Sequence, residues 1–206
     1  MESMIYRLAF FVIGLFVLAF GVTLTIKANL GAGAWDALNV GLTDQIGLTV
    51  GSWIFIVGIL IILLNAVIMR EAPKVLGVFT ILLIGFFVDF WMLSIFQDFN
   101  TQNIFFKGVI LFLGILLIAI GVSIYLQTSF PANPIDQLMI TLHQRFGLSL
   151  MAAKTIGEVG ALLLALLFAG PIGLGTIIIT FAIGPLIQLC NPPVNAVIGK
   201  WMGKLK

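Results

Sequence analysis

Charge is the scarcest thing in this sequence. Asp, Glu, Lys and Arg make up 9% of the 206 residues, against 61% hydrophobic residues and a mean hydropathy of +1.23. So little charge excludes a domain that water could keep dissolved and requires an integral membrane protein, with the lipid bilayer as its first partner. The formal net charge is only +2 and the positive residues are scattered, which excludes nucleic acid as a partner. A single cysteine, Cys190, excludes a disulfide within the chain; in its apolar run it reads as a small packing residue. One histidine and one cysteine, far apart, give no support for a metal site, and no cofactor is expected. Phosphate-binding loops, nucleophile elbows and metalloprotease motifs are all missing, so an enzyme is not expected.

What is abundant is uninterrupted apolar sequence. Residues 8–26 carry no charge, and at about 1.5 Å per residue they suffice to cross a hydrocarbon core of roughly 30 Å. Further spans are expected over 53–69, 75–96, 108–126, 152–169 and 174–190, about six in all, with the last ending at Asn191, Pro192 and Pro193. Two shorter and more polar stretches follow the first and fourth spans. In one, Gly31, Ala32 and Gly33 break the pattern and a helix is expected from Ala34; in the other, Asn133 as N-cap and Pro134 at the first helical position start a helix that reaches Phe146. These two helices are expected to lie in the interface or to re-enter the bundle; if both crossed fully there would be eight spans, with Arg70 and Lys74 outside, a poorer fit to the charge distribution. Six spans with the amino terminus inside put Arg7, Arg70, Lys74, Arg145, Lys154, Lys200, Lys204 and Lys206 on the cytoplasmic face, with Lys27 and Lys107 opposite. That distribution follows the positive-inside rule and predicts that both termini are cytoplasmic.

The chain also states its pattern twice. Aligned without a gap, residues 7–48 and 107–148 share Gly14/Gly114, Ala19/Ala119, Gly21/Gly121, Val22/Val122, Ala32/Ala132, Asp36/Asp136, Leu38/Leu138, Leu42/Leu142, Gly47/Gly147 and Leu48/Leu148. Chance would give roughly three or four such identities in so apolar a composition, so a duplication is expected. The predicted fold is therefore all-α: two homologous three-span repeats, each with an extra short helix. The expected boundaries are a first membrane repeat at 1–97, a polar loop at 98–106, a second repeat at 107–191 and a basic interfacial tail at 192–206. Three is an odd number, so the second copy would insert upside down relative to the first, a common construction in secondary transporters.

The stretch Lys27-Ala28-Asn29-Leu30-Gly31-Ala32-Gly33-Ala34-Trp35-Asp36-Ala37-Leu38, with its apolar leader and the later Gly173-Leu174-Gly175-Thr176, resembles the bacterial YczE/YyaS/YitT family of small integral membrane proteins. The likeness covers nearly the whole chain. Members of that family look as though they carry proline just before the tryptophan; this chain has Ala34 there, and its second copy has Pro134. The resemblance implies a protein of the bacterial cytoplasmic membrane.

Asp36 and Asp136 are the leading site candidates, because ionisable groups in or beside a membrane are costly and often mark ion or solute paths. Each stands at the third position of its expected helix, so capping the helix start is the simpler role, and an ion or solute path the second. Free backbone N–H groups at the same starts, around Trp35 and Asn133, could receive an anion, but the aspartates argue for a cation or zwitterion. Asn29 and Lys27 would adjust that balance in the first copy, where the second has Ser129 and Gln127. Asn39 shares a helical face with Asp36. Asp89 and Glu158 fall inside expected spans: Glu158 is one turn from Lys154, an ordinary helix-face ion pair, while Asp89 has no partner visible in the sequence and is a candidate proton- or cation-responsive group. His143 lies on the Asp136 face two turns on, where a satisfied interfacial histidine is the ordinary case.

The leading functional expectation is a small secondary transporter or permease-like protein for a small polar or amphipathic solute, with a homodimer compensating for the short chain. The alternative is a non-transporting accessory protein that supports another membrane complex. In that case the carboxylates cap helices and an exposed face of small residues is the working surface.

Overall fold

The computed structural model describes residues 2–198 and Trp201. Eight α-helices run in order among them: α1 Glu2–Lys27, α2 Ala34–Ile46, α3 Val50–Met69, α4 Gly77–Asp89, α5 Ile104–Gln127, α6 Pro134–Phe146, α7 Leu150–Leu167 and α8 Leu174–Ile198. Six segments are long and apolar enough to cross a membrane: Met4–Lys27, Val50–Met69, Gly77–Ile95, Ile104–Gln127, Leu150–Leu167 and Leu174–Ile198. The short α2 and α6 are not among them. The chain is a polytopic, all-helical membrane protein.

Local chemistry sets the helix boundaries. Thr49 Oγ1 accepts from Ser52 N–H to start α3, Asn103 Oδ1 from Phe105 N–H to start α5, Asn133 Oδ1 from Ile135 N–H to start α6, and Ser149 Oγ from Ala152 N–H to start α7. Arg70 closes α3 at φ 58° and Gly147 closes α6 at φ 67°, each turning its backbone N–H onto the last carbonyls. The α4 rod continues as one stretch of π-helix, Phe90–Ile95, where Trp91 stacks on Phe20 and its indole N–H donates to the Phe16 carbonyl.

The centre of the molecule is the α1–α5 pair, and small residues let it form. A Cβ on Gly21 would lie 2.7 Å from the Gly114 carbonyl oxygen, and one on Gly121 would lie 2.7 Å from that of Gly14. These helices therefore touch backbone to backbone, as small-residue interfaces in lipid do. Because Gly14 meets Gly121 while Gly21 meets Gly114, α1 and α5 run antiparallel. Arg7 confirms the direction: near the start of α1, it donates from Nε to the Thr128 carbonyl just past the end of α5. Around this pair, α4 packs on α1 and α8 on α5, while α2 and α6 pack against α7 and α3.

One boundary differs from the sequence expectation. The last helix does not stop at Asn191, Pro192 and Pro193 but runs through them, and through Pro185, to Ile198. Each proline removes one backbone bond from the helix, yet its fixed φ remains helical, and the helix carries all three. Of the expected basic tail, Lys200, Lys204 and Lys206 lie outside the described residues.

Candidate functional site

The first turns of α2 and α6 meet at one cavity beside the α1–α5 crossing. It has a volume of about 200 Å3, and its walls include Leu18, Val22, Ile118 and Val122 from the crossing, with Ile179 and Ile183 from α8. Five of the candidates reach it: Trp35, Asp36, Asn133, Asp136 and Glu158. Lys154 and Tyr125 join them. Three carboxylates thus face one ammonium inside a mostly apolar chamber.

The two aspartates are held differently. Tyr125, almost wholly buried on α5, donates its hydroxyl to Asp136 Oδ2 at 2.7 Å. Asn133, not Asp136, caps α6. At the start of α2 the N-cap is Gly33, with no side-chain bond, and among the described residues Asp36 has no hydrogen-bond partner. The hydrogen-bonding part of the cap expected of these aspartates falls instead to Asn133 in α6, and α2 has no side-chain cap, while both acids still stand in the first turn of their helices, where they complement the dipole. Asp36 and Asp136 lie outside the six spans. Burial, and then the Glu158 carboxylate, raise the pKa of Asp36 from 3.8 to about 7. Burial also raises that of Asp136, against the lowering pull of the Tyr125 hydrogen bond and of Lys154.

The other candidates fall elsewhere. Asp89 accepts from Gly51 N–H at 2.8 Å and from Thr49 Oγ1 at 2.5 Å, so it braces the start of α3 against the end of α4. A partner 40 residues away could not be seen in the sequence. His143 is exposed near the end of α6 and bonds through Nδ1 to the Leu148 carbonyl, away from the cavity. Asn29 is exposed at φ 50° in the turn after α1. Asn39 is buried in α2, and its Oδ1 has no partner among the described residues. The sequence reading missed Tyr125. Its signal was a tyrosine eleven residues before Asp136, in a chain with only two tyrosines.

A second, larger cavity of about 580 Å3 lies on the other side of α6, between the end of α3, the turn 70–76 and the loop before Pro134. Thr80 Oγ1 donates to the Pro131 carbonyl, and Asn65 Nδ2 to that of Pro134, at its inner edge. The corresponding loop before α2 is closed tightly on the turn between α7 and α8. There Ala32 N–H donates to Pro171 O at 3.0 Å and Gly175 N–H to Leu30 O at 2.7 Å, and a Cβ on Gly31 would lie 2.5 Å from Gly173 N.

Comparison with known proteins places these features in context. Residues 5–192 match the model of a family of unknown function, DUF6198. The chain is 34% identical to the uncharacterized protein YyaS of Bacillus subtilis (strain 168), over 89% of this chain and 91% of that one. It is also 34% identical to the uncharacterized membrane protein YczE of the same organism, over 93% and 88%. An uncharacterized protein of Haemophilus influenzae is 27% identical over 84% and 77%. No solved structure matches.

Proposed function

The chain belongs to DUF6198, and from that premise we propose that it is a small secondary transporter or permease-like protein of the bacterial cytoplasmic membrane, built from two three-span repeats of opposite orientation. One observation carries the reading: Asp36 and Asp136, at equivalent positions of the two copies, line a single cavity at the crossing of α1 and α5. Interrupted segments that meet at the interface of two repeats, with ionisable residues at the meeting point, are how many secondary transporters hold solute and coupling ion. The antiparallel α1–α5 pair supports the inversion, because an α2 that crossed the membrane would make α1 and α5 parallel.

In the proposed mechanism, the excess of carboxylates over Lys154 selects a positively charged or proton-bearing group. The apolar walls from α1, α5 and α8 take its hydrocarbon part. Protonation and solute binding compete for Asp36, on which burial and the Glu158 carboxylate act and no hydrogen bond does among the described residues. Such competition is the elementary step of proton-coupled exchange. No catalytic step is proposed for the cavity.

The test is electrical. Purified protein in proteoliposomes on a solid-supported membrane would be exposed to concentration jumps of an amine, an amino acid and an anionic solute in turn. Transport requires, from at least one of them, a current or, where one proton exchanges for one cation and no net charge moves, uptake of the radiolabelled solute, and that signal must disappear in Asp36→Asn and Asp136→Asn variants of unchanged thermal stability. Absence of both current and uptake in the folded wild-type protein for all three, or signals indifferent to both substitutions, would sink the proposal and leave the accessory role.

A further inference from the structure

We propose that the 580 Å3 cavity is the admission site of this pathway and that it takes an amphipathic amine, an apolar body carrying N–H donors. The proposal rests on the transport reading, but its evidence is separate. The cavity walls are largely apolar, with Ile62, Met69, Val75 and Leu76 among them. Set into these walls are polar groups with no partner among the described residues. Asn65 is 7% exposed; its Nδ2 donates to the Pro134 carbonyl at 3.1 Å, which fixes the orientation of the amide and leaves Oδ1 without a partner. Thr141, 1% exposed, has an Oγ1 without a partner. Gln137, on the same α6 face, forms no hydrogen bond among the described residues and remains partly accessible.

Buried polar atoms are nearly always paired, and the unpaired ones call for an explanation. The unpaired Asn65 amide oxygen beside a cavity is explained by a ligand that brings a donor, and the Thr141 hydroxyl can accept from the same group. An apolar wall with few convergent polar groups is also the usual make-up of a small-molecule site. Charge is not selected at the mouth, where Glu71 and Lys74 stand together. It is selected one helix further in, where Asp36, Asp136 and Glu158 outnumber Lys154. Donors at the first station and positive charge at the second together describe an amine.

One helix separates the stations. Pro134, Gln137 and Thr141 lie at helical spacings i, i+3 and i+7 and line the larger cavity, while Asn133, Ile135 and Asp136 line the smaller. The free oxygens of Asn65 and Thr141 are shielded from water. A solute therefore reaches them only as α6 or its side chains shift, and that same shift opens the way to Asp136.

The experiment uses full-length protein in nanodiscs with Cys190→Ser and Val75→Cys, since Val75 is exposed and lines the cavity. The rate of labelling by methyl methanethiosulfonate, which reacts with thiols and spares amines, is measured with benzylamine or with benzyltrimethylammonium, which has the same ring and charge but no N–H. Benzylamine is expected to slow labelling at concentrations where the quaternary ion does not. Thr141→Val, or Gln137→Leu if that variant folds poorly, should weaken the protection about three- to tenfold, the effect of one lost hydrogen bond. Equal protection by both ions, or protection by neither, overturns the proposal. Asp36→Asn should leave protection intact, and its loss there would mean a single site and also overturn it. Protection without any solute current or uptake would defeat the transport reading alone.

Discussion

Asp136 and Asp36 occupy matching positions, yet one carboxylate is tied and the other is free, and each condition can be tested. Tyr125→Phe removes the hydroxyl that reaches Asp136 Oδ2 and leaves that oxygen in an apolar chamber. The expected loss of stability is about 1–3 kcal/mol, as for a hydrogen bond to a buried charged group. Asp136→Asn keeps an acceptor for the phenol and should cost less. Thermal unfolding in detergent compares them, and a reversed order would mean that Tyr125 does not serve Asp136. For Asp36 the readout is a hydrophobic carbodiimide, which attacks only the protonated carboxyl. With its pKa lifted to about 7, Asp36 is protonated below that pH and charged above it. Labelling should therefore be strong at about pH 6 and nearly absent at about pH 8. Glu158, Lys154, Asp136 and Tyr125 share the cavity with Asp36, so the label must be assigned by its loss in Asp36→Asn. A flat profile across this range would remove the proton from the proposed exchange.

Among the elements, the α1–α5 contact is the one that tolerates least. A Cβ on Gly121 would fall 2.5 Å from the backbone nitrogen of Leu18, whereas one on Gly160 in α7 would meet nothing within 4 Å. Gly121→Ala is expected to cost about 1–3 kcal/mol by forcing the helices apart. Gly160→Ala should be neutral or stabilise by up to about 1 kcal/mol through helix propensity alone. If both variants melted alike, the crossing would not be the centre of the fold. The elements themselves were largely legible. Asn133 and Pro134 announced α6 to the residue, and the loss of periodicity at Gly31–Gly33 announced α2, because those signals act within one helical turn. The run of α8 through Pro192 and Pro193 was not legible, because local proline rules describe the cost of a residue and not what the rest of the bundle tolerates. The site divided in the same way. The aligned stretches 7–48 and 107–148 pointed to Asp36 and Asp136, but the link from Asp89 to Gly51 depends on two helices packing side by side, and so does the placing of Asn65 and Thr141 in the wall of a cavity.

For the whole molecule, the number of crossings decides whether the two copies can act as alternating halves. With six crossings α1 and α5 are opposed, as their glycine contacts require, and the turn at Glu71 faces the same compartment as the end of α6 at Gln144. With eight, α2 and α6 would cross as well, and Gln144 would share a face with Asn100. All three positions are exposed, so single cysteines placed there in a Cys190→Ser background can be labelled with an impermeant thiol reagent on intact cells. Asn100→Cys is expected to label from outside, and Glu71→Cys and Gln144→Cys only after permeabilisation, in keeping with Arg70, Lys74 and Arg145 on the inner face. Labelling of Gln144→Cys together with Asn100→Cys would make the copies parallel and end the inverted-repeat reading. Under the six-crossing arrangement the asymmetry between the halves acquires a direction. The larger cavity would then face the cytoplasm, while on the opposite face the Gly31–Gly173 contact and its two backbone hydrogen bonds would shut the path. Two copies with one chain direction reversed can exchange these roles, and Gly173→Ala tests whether they do. A side chain there has no room in the shut state, so the variant should populate the opposite opening and slow the labelling of Val75→Cys.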